Sequence, residues 1–234
     1  MQNWHLVSQF KNLKYSFVVI FSIIKALNND AVYADGLLTF YEIFKFLEEN
    51  VPETILPREY YKTEDFENDL KFFKGDDWQK TYKPRESVRM YLKYLIELDQ
   101  TLLIAYVYHL YMGLLSGGLI IAKKRELTNK LKRSFVKDDS TVYEEFKDGC
   151  HVTTFINQSI PLLKNKMRKN IDSFTEHFSD ELRLQLIQES KKVFELNNEI
   201  IKSVEGVNKQ NIKLVGCFLL TVLCVYLFVK MWKA

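Results

Sequence analysis

Leu102–Lys124 reads LLIAYVYHLYMGLLSGGLIIAKK. Apolar and aromatic residues fall on every side of this stretch, and no Asp, Glu, Lys or Arg appears before Lys123, which predicts one helix buried over most of its circumference. Gly113, Gly117 and Gly118 interrupt it. The whole chain has only eight glycines, and each one inside a helix costs about 1 kcal/mol relative to alanine. Three within six residues therefore imply that something presses against this backbone. Gly113 and Gly117 lie four apart and share a face, with Gly118 beside them, so the helix can bend there and admit either a flat ligand or a closely packed helix.

The composition around that stretch bounds the rest. A chain of 234 residues with 47% hydrophobic and 14% aromatic content can bury one substantial core, so one domain with a terminal appendage is expected. Four prolines and eight glycines fit long helices and an all-α fold. The net charge of +3 comes from 33 basic and 30 acidic residues that are interspersed, which argues against a nucleic-acid surface. Cys150, Cys217 and Cys224 do not make a disulfide framework, because the last two fall in an apolar run; a reducing, cytosolic setting follows. Cys150 is followed by His151, and no CxxC or CxxCH is present, so neither zinc nor covalently attached haem is expected.

Upstream, His5–Leu27 reads as a first helix whose Phe17–Ile24 segment is apolar on all sides. With Lys11 and Lys14 before it, the run mimics a signal-peptide core, but a small-residue cleavage site is not evident and a buried helix is the better reading. Asn28–Gly36 carries turn chemistry, and an amphipathic helix is expected over Leu37–Glu49. Pro84 suits the first turn of a helix whose Val88, Tyr91, Leu92, Leu95 and Ile96 recur at helical spacing into the central stretch. Downstream, Glu126–Gly149 is polar and predicts a shorter helix and a loop. A further helix starts at about Ile160. Ser179-Asp180-Glu181 caps another that runs to about Val204, with Leu182, Leu186, Val193, Leu196 and Ile200 inward.

Leu214–Val229 is sixteen residues without a charge, flanked by Lys213 and Lys230 and followed by Trp232. Sixteen is short for about 30 Å of hydrocarbon, but flanking lysines can snorkel and a tryptophan can sit at the interface. The expected organisation is a helical domain over 1–204, a polar tether over 205–213 and a C-terminal membrane anchor over 214–232.

The central stretch resembles a known family. Ala105-Tyr106-Val107-Tyr108-His109-Leu110-Tyr111-Met112-Gly113-Leu114-Leu115-Ser116-Gly117-Gly118 looks like the distal-helix signature of haem oxygenases, L-[LIV]-A-H-x-Y-x-R-Y-L-G-D-L-S-G-G. Tyr41-Glu42-Ile43-Phe44-Lys45-Phe46-Leu47-Glu48-Glu49 is similar to the family's Y-x-I-[YF]-x-x-L-E-E. Leu56-Pro57-Arg58, Asp65, Leu70, Phe72, Phe73 and Gly75-Asp76-Asp77-Trp78 also track it. The resemblance covers about Tyr33 to Asn197 and implies a haem-oxygenase-like helical domain.

That resemblance implies oxidative cleavage of haem to biliverdin, carbon monoxide and iron, with haem as both substrate and prosthetic group. Electrons would come from NADPH-cytochrome P450 reductase, at the cytosolic face of the endoplasmic reticulum membrane. It implies that Gly113, Gly117 and Gly118 lie over the haem face, that Lys164 and Arg168 match the pair that grips the propionates, and that Phe194-x-x-Asn197 matches F-x-x-N, with Tyr108 also on the haem. The alternative for Lys164 and Arg168 is a solvated basic face. The chain departs from the pattern where the chemistry sits: Tyr106 stands at the family's His, Leu110 at its Arg and Leu114 at the Asp that orders the distal water. The family's proximal His falls at Lys11 or Tyr15. Tyr15 could be an axial phenolate to iron or an ordinary helix tyrosine. His109 could point into a distal pocket or serve as hydrogen-bonded structure. The rival functional class is a haem binder or carrier that kept the fold and lost turnover, and a third is a tethered scaffold with no ligand.

Overall fold

The computed structural model describes residues 29–134, 149–155 and 158–205. The readings for the first helix, including Lys11 and Tyr15, and for the tether and anchor lie outside those residues. The described residues form helices and connecting turns, with no strand among them: α1 Asp30–Asn50, α2 Thr63–Lys74, the single turn α3 Trp78–Thr81, α4 Glu86–Glu97, α5 Leu103–Ser134, α6 Ile160–Phe174 and α7 Asp180–Lys202. Short 3-10 turns at Arg58–Tyr60 and Gln100–Leu102 lead into α2 and α5.

α5 is the centre. It packs on α7 and α6, while α1 packs on α2, α4 and α7. Leu103–Leu110, apart from His109, is buried residue after residue, as expected of a helix surrounded by others. The stretch Gln100–Gly118 is long and apolar enough to cross a membrane, but 61% of it is buried inside the fold; it is the core helix.

Three boundaries differ from the sequence reading, each for a physical reason. α1 begins at Asp30, not Leu37, because Asn29 caps it by accepting a hydrogen bond from Ala31 N at 2.9 Å, and Val32, Tyr33 and Ala34 are buried. The Asp35-Gly36 pair is therefore helical: Asp35 pairs with Arg85 of α4 and accepts from Glu205 N at 2.7 Å, which outweighs its local turn preference. α5 continues to Ser134, ten residues past Lys124, in place of a separate shorter helix. Between α4 and α5 the helical spacing breaks at Leu98 and Asp99; the Asp99 side chain accepts from Thr101 N at 2.8 Å and starts the 3-10 turn. Ser179 does cap α7, accepting from Leu182 N at 3.2 Å. Leu186, Val193 and Ile200 are fully buried, with Leu182 and Leu196 half-buried beside them.

Buried polar side chains tie these helices together. Glu48, near the end of α1, accepts from Lys62 N at 2.6 Å, Thr63 N at 3.1 Å, Thr63 Oγ1 at 2.5 Å and Tyr111 Oη at 2.8 Å. One carboxylate thus satisfies the free backbone N–H groups at the start of α2 and fixes α5 to both helices.

Candidate functional site

The glycines of α5 divide into two environments. A Cβ added to Gly118 would meet the backbone of Thr153, at 3.2 Å from its oxygen and 3.3 Å from its Cα. Gly118 is there because the 149–155 segment lies against the helix. At Gly113 and Gly117 an added Cβ would meet nothing within 4 Å among the described residues. These two fall seven and eleven residues after Tyr106, so at about 100° per residue all three share one face.

Earlier along α5 that face is filled by α7. The Tyr106 hydroxyl donates to Glu189 Oε2 at 2.8 Å, and the His109 ring meets the Phe194 ring edge to face at 5.0 Å between centroids. Past His109 the filling stops, and the face is open backbone at Gly113 and Gly117. Leu110 is buried and Leu114 half-buried along its flank, so the flank is apolar. Ser116 Oγ donates to Met112 O at 2.6 Å, back into its own helix. A flat apolar ligand can therefore approach this backbone to contact distance.

The other predicted residues are placed as follows. The Lys164 and Arg168 side chains share a face of α6 one turn apart. Lys164 is half-buried, and its pKa is pushed down first by desolvation and then by the Arg168 charge. Arg168 Nη1 donates to Asn165 Oδ1 at 3.2 Å, while its Nε is enclosed without a hydrogen-bond partner. The Tyr108 hydroxyl lies beside Arg168; burial raises its pKa and the guanidinium offsets part of the rise. Asp172, one turn further along α6, has an enclosed Oδ1 without a partner. Among the described residues neither Lys164 nor Arg168 makes an ion pair, so two cations with spare donors sit together on a partly desolvated face, which suits a carboxylate-bearing ligand.

Asn197 is engaged within the bundle, its Oδ1 accepting from the fully buried Tyr91 hydroxyl at 3.1 Å. Phe194 is half-buried against His109. Burial lowers the His109 pKa to about 4, so its ring is neutral at ordinary pH. Tyr106 is committed to Glu189, which also accepts from Tyr94 Oη at 2.9 Å; burial first and that carboxylate second raise the Tyr106 pKa far above its ordinary value. Tyr106 therefore remains a neutral strut between α5 and α7.

Sequence reading missed what holds the site in place. Asp69 of α2 is wholly buried, and its Oδ1 accepts from His151 N at 2.9 Å and lies 2.7 Å from His151 Nδ1. Its Oδ2 accepts from Val152 N at 3.0 Å. Lys62 Nζ donates to Thr154 O at 2.9 Å, pairs with Asp65 at 2.6 Å and sits 3.9 Å from the centroid of the Phe155 ring. Gly149 opens the segment at φ +79°, where a Cβ would also strike Phe73 at 2.5 Å. A usable signal was present: Asp69 lies between Phe66 and Leu70 on the apolar face of α2, and an acid in that position needs donors.

Comparison with known proteins agrees with the all-helical fold. The sequence family described as "Heme oxygenase" matches residues 16–203. A haem oxygenase from Rhodella violacea is 28% identical over 198 residues, covering 80% of this chain and 77% of that protein. Among solved structures, haem oxygenase 2 from Chlamydomonas reinhardtii, determined without haem, superposes with a TM-score of 0.67 at 22% identity, covering 85% of this chain and 97% of that one. Haem oxygenase-1 from Synechocystis in complex with haem gives 0.59 at 18% identity, covering 93% and 94%. These two structures share the fold. With a family match that spans most of its length and a fold that agrees, this chain belongs to the haem oxygenase family.

Proposed function

We propose that this protein binds haem against the Gly113 and Gly117 face of α5 and cleaves it oxidatively to biliverdin, carbon monoxide and iron. The observation that carries this reading is the backbone at Gly113 and Gly117, left open by the described residues on a helix whose Leu103–Tyr108 stretch is buried throughout. The residues present fit the group: bare backbone on one side, apolar Leu110 and Leu114 at the flank, and Lys164 and Arg168, which make no ion pair among the described residues, for the propionates. When bound, haem supplies the iron that activates oxygen and is itself the molecule oxidised.

This chain's own residues orient and exclude. Gly113 and Gly117 let the ring approach the helix, Lys164 and Arg168 fix its rotation, and Leu114 keeps water from the flank where the family carries an aspartate. Electrons are assigned to NADPH-cytochrome P450 reductase. Tyr15 is the proposed iron ligand. Residues 214–232 are assigned as a tail anchor in the endoplasmic reticulum membrane, with residues 1–204 on the cytosolic side and 205–213 as tether.

A second reading has its own observation. Leu110 and Leu114 offer no hydrogen bond, and Tyr106 is held by Glu189, so a dry pocket favours a binder or carrier over rapid turnover. The experiment that separates the two is haemin titration of the full chain followed by reductase and NADPH. Growth of a biliverdin spectrum supports the enzyme; a stable Soret band with no biliverdin makes the protein a carrier.

A further inference from the structure

A second recess lies beside the point where the described chain leaves the fold. It is a cleft of about 490 Å³ lined by Leu38 and Thr39 of α1, Phe73 and Lys74 of α2, Trp78, Thr81, Tyr82 and Lys83, Arg85 at the head of α4, and Val88 within it. Its hydroxyls are spent within the fold: Thr39 donates to Gly36 O at 2.7 Å, Thr81 to Trp78 O at 3.3 Å and Tyr82 to Leu38 O at 3.1 Å. Arg85 is spent as well, on Asp35 and on Ser203 O. Apart from the Trp78 indole N–H, the remaining side-chain polar groups are the ammoniums of Lys74 and Lys83. Both residues are exposed, and neither has an ion-pair partner among the described residues, whereas their neighbours Lys71 and Lys80 pair with Asp76 at 2.8 Å and Asp77 at 2.7 Å. No acidic residue lines the cleft.

The Arg85 contacts bring this cleft next to the end of α7. Arg85 and Ser87 hold Ser203, the latter through a 3.0 Å hydroxyl contact, and Asp35 accepts from Glu205 N. From that clasp the chain proceeds toward Leu214, and the eight residues between span at most about 28 Å. The charge of the chain is arranged to match. Residues 1–28 hold Lys11, Lys14 and Lys25 and no acid; residues 206–234 hold Lys209, Lys213, Lys230 and Lys233 and no acid. Those lysines alone exceed the net charge of +3, so residues 29–205 are net acidic. Lys74 and Lys83 thus line the same cleft without an ion-pair partner among the described residues, and neither residues 1–28 nor residues 206–234 include an Asp or Glu that would neutralise them.

We propose that this cleft docks the phosphates of anionic lipid headgroups on the membrane that the 214–232 segment enters. Lys74 and Lys83 take the phosphate charge, while the half-buried Leu38, Phe73 and Tyr82 side chains accept the glycerol and upper acyl region, the depth that Tyr favours, with the buried Trp78 ring behind them. The clasp at Arg85 sets the distance between cleft and anchor, so the domain rests on the bilayer in one orientation. Each lysine near an anionic leaflet strengthens the contact about fivefold, and salt screens it.

This inference rests on the anchor assigned above, and the test separates the two. The full chain is incorporated into nanodiscs of phosphatidylcholine alone and of phosphatidylcholine mixed with phosphatidylserine, and the acetylation rate of each lysine is followed by mass spectrometry. The expected result is severalfold slower modification of Lys74 and Lys83 in the anionic discs, with Lys93 and Lys191, on α4 and α7, unchanged. In the Lys74→Glu/Lys83→Glu variant the neighbouring Lys80 should lose any dependence on phosphatidylserine. Equal rates for Lys74 and Lys83 in the two discs overturn the proposal. Protection already complete in neutral discs or detergent overturns it too, by assigning the cleft to another segment of the chain. Failure of the chain to join either disc overturns the anchor and the docking together.

Discussion

The Gly118 Cα and the Thr153 backbone are so close that a Cβ at position 118 would lie 3.2 Å from the Thr153 oxygen, while one at Gly117 would meet nothing within 4 Å among the described residues. Neighbouring glycines thus answer different demands. Gly118→Leu is expected to destabilise the haem-free protein by about 1–3 kcal/mol, because it overpacks a contact with backbone that is itself held by Asp69 and Lys62. Gly117→Ala is expected to stabilise the haem-free protein by roughly 0.5–1 kcal/mol through helix propensity alone. Urea denaturation of both variants checks the pair, and equal effects at the two positions would contradict the assignment.

Glu48 is the acceptor for Lys62 N, Thr63 N, the Thr63 hydroxyl and the buried Tyr111 hydroxyl. Glu48→Ala leaves enclosed donors unmatched and is expected to cost about 3 kcal/mol or more, with Glu48→Gln losing less because it retains one acceptor oxygen. The midpoint of chemical unfolding reads this directly. A Glu48→Ala loss no larger than that of an exposed pair such as Glu53 with Arg58 would count against the role given to Glu48.

His109 gives a pH signature. Burial holds its folded-state pKa at about 4, below the ordinary value of about 6.5 for an unfolded histidine. The unfolded chain therefore takes up a proton that the folded chain refuses between those values, so stability falls as pH drops from 6.5 toward 4. The loss from this group is at most about 3 kcal/mol. His109→Phe should flatten that part of the stability profile. An unchanged slope in the variant would show that the ring is not kept neutral in the fold.

Much of the site was legible because its signal is local. Three glycines in a short helical run mark this backbone, which Thr153 approaches at Gly118, and Ser179 at the head of α7 is a capping pattern confined to a few residues. What was not legible depends on distant partners. Asp35-Gly36 reads as a turn until Arg85 and Glu205, 50 and 170 residues away, are brought beside Asp35. The division of labour between Gly117 and Gly118 needs Thr153, and the role of Asp69 needs the 149–155 segment. The polar run after Lys124 suggests a boundary, yet α5 continues through it to Ser134, because Lys, Arg, Glu and Leu are good helix formers.

Leu114 is expected to limit turnover. A leucine supplies no hydrogen bond beside the glycine face, so the unmodified protein should form biliverdin slowly. Leu114→Asp combined with Tyr15→His should raise the biliverdin yield under reductase and NADPH well above that of the native chain. The single Tyr15→His change should alter the ferric spectrum when Tyr15 is the ligand. Rapid biliverdin formation by the native chain would show that catalysis runs through groups other than these.

The central claim is that the open face at Gly113 and Gly117 receives haem. Absorption titration of the full chain with haemin tests it most directly, run beside a Gly113→Leu/Gly117→Leu variant whose helical content is checked by circular dichroism. The account predicts a sharp Soret band saturating at one haemin per native chain, and its loss or strong weakening in a variant that stays folded. A native chain with no Soret band, or a folded variant that binds haemin as tightly as the native chain, would contradict it.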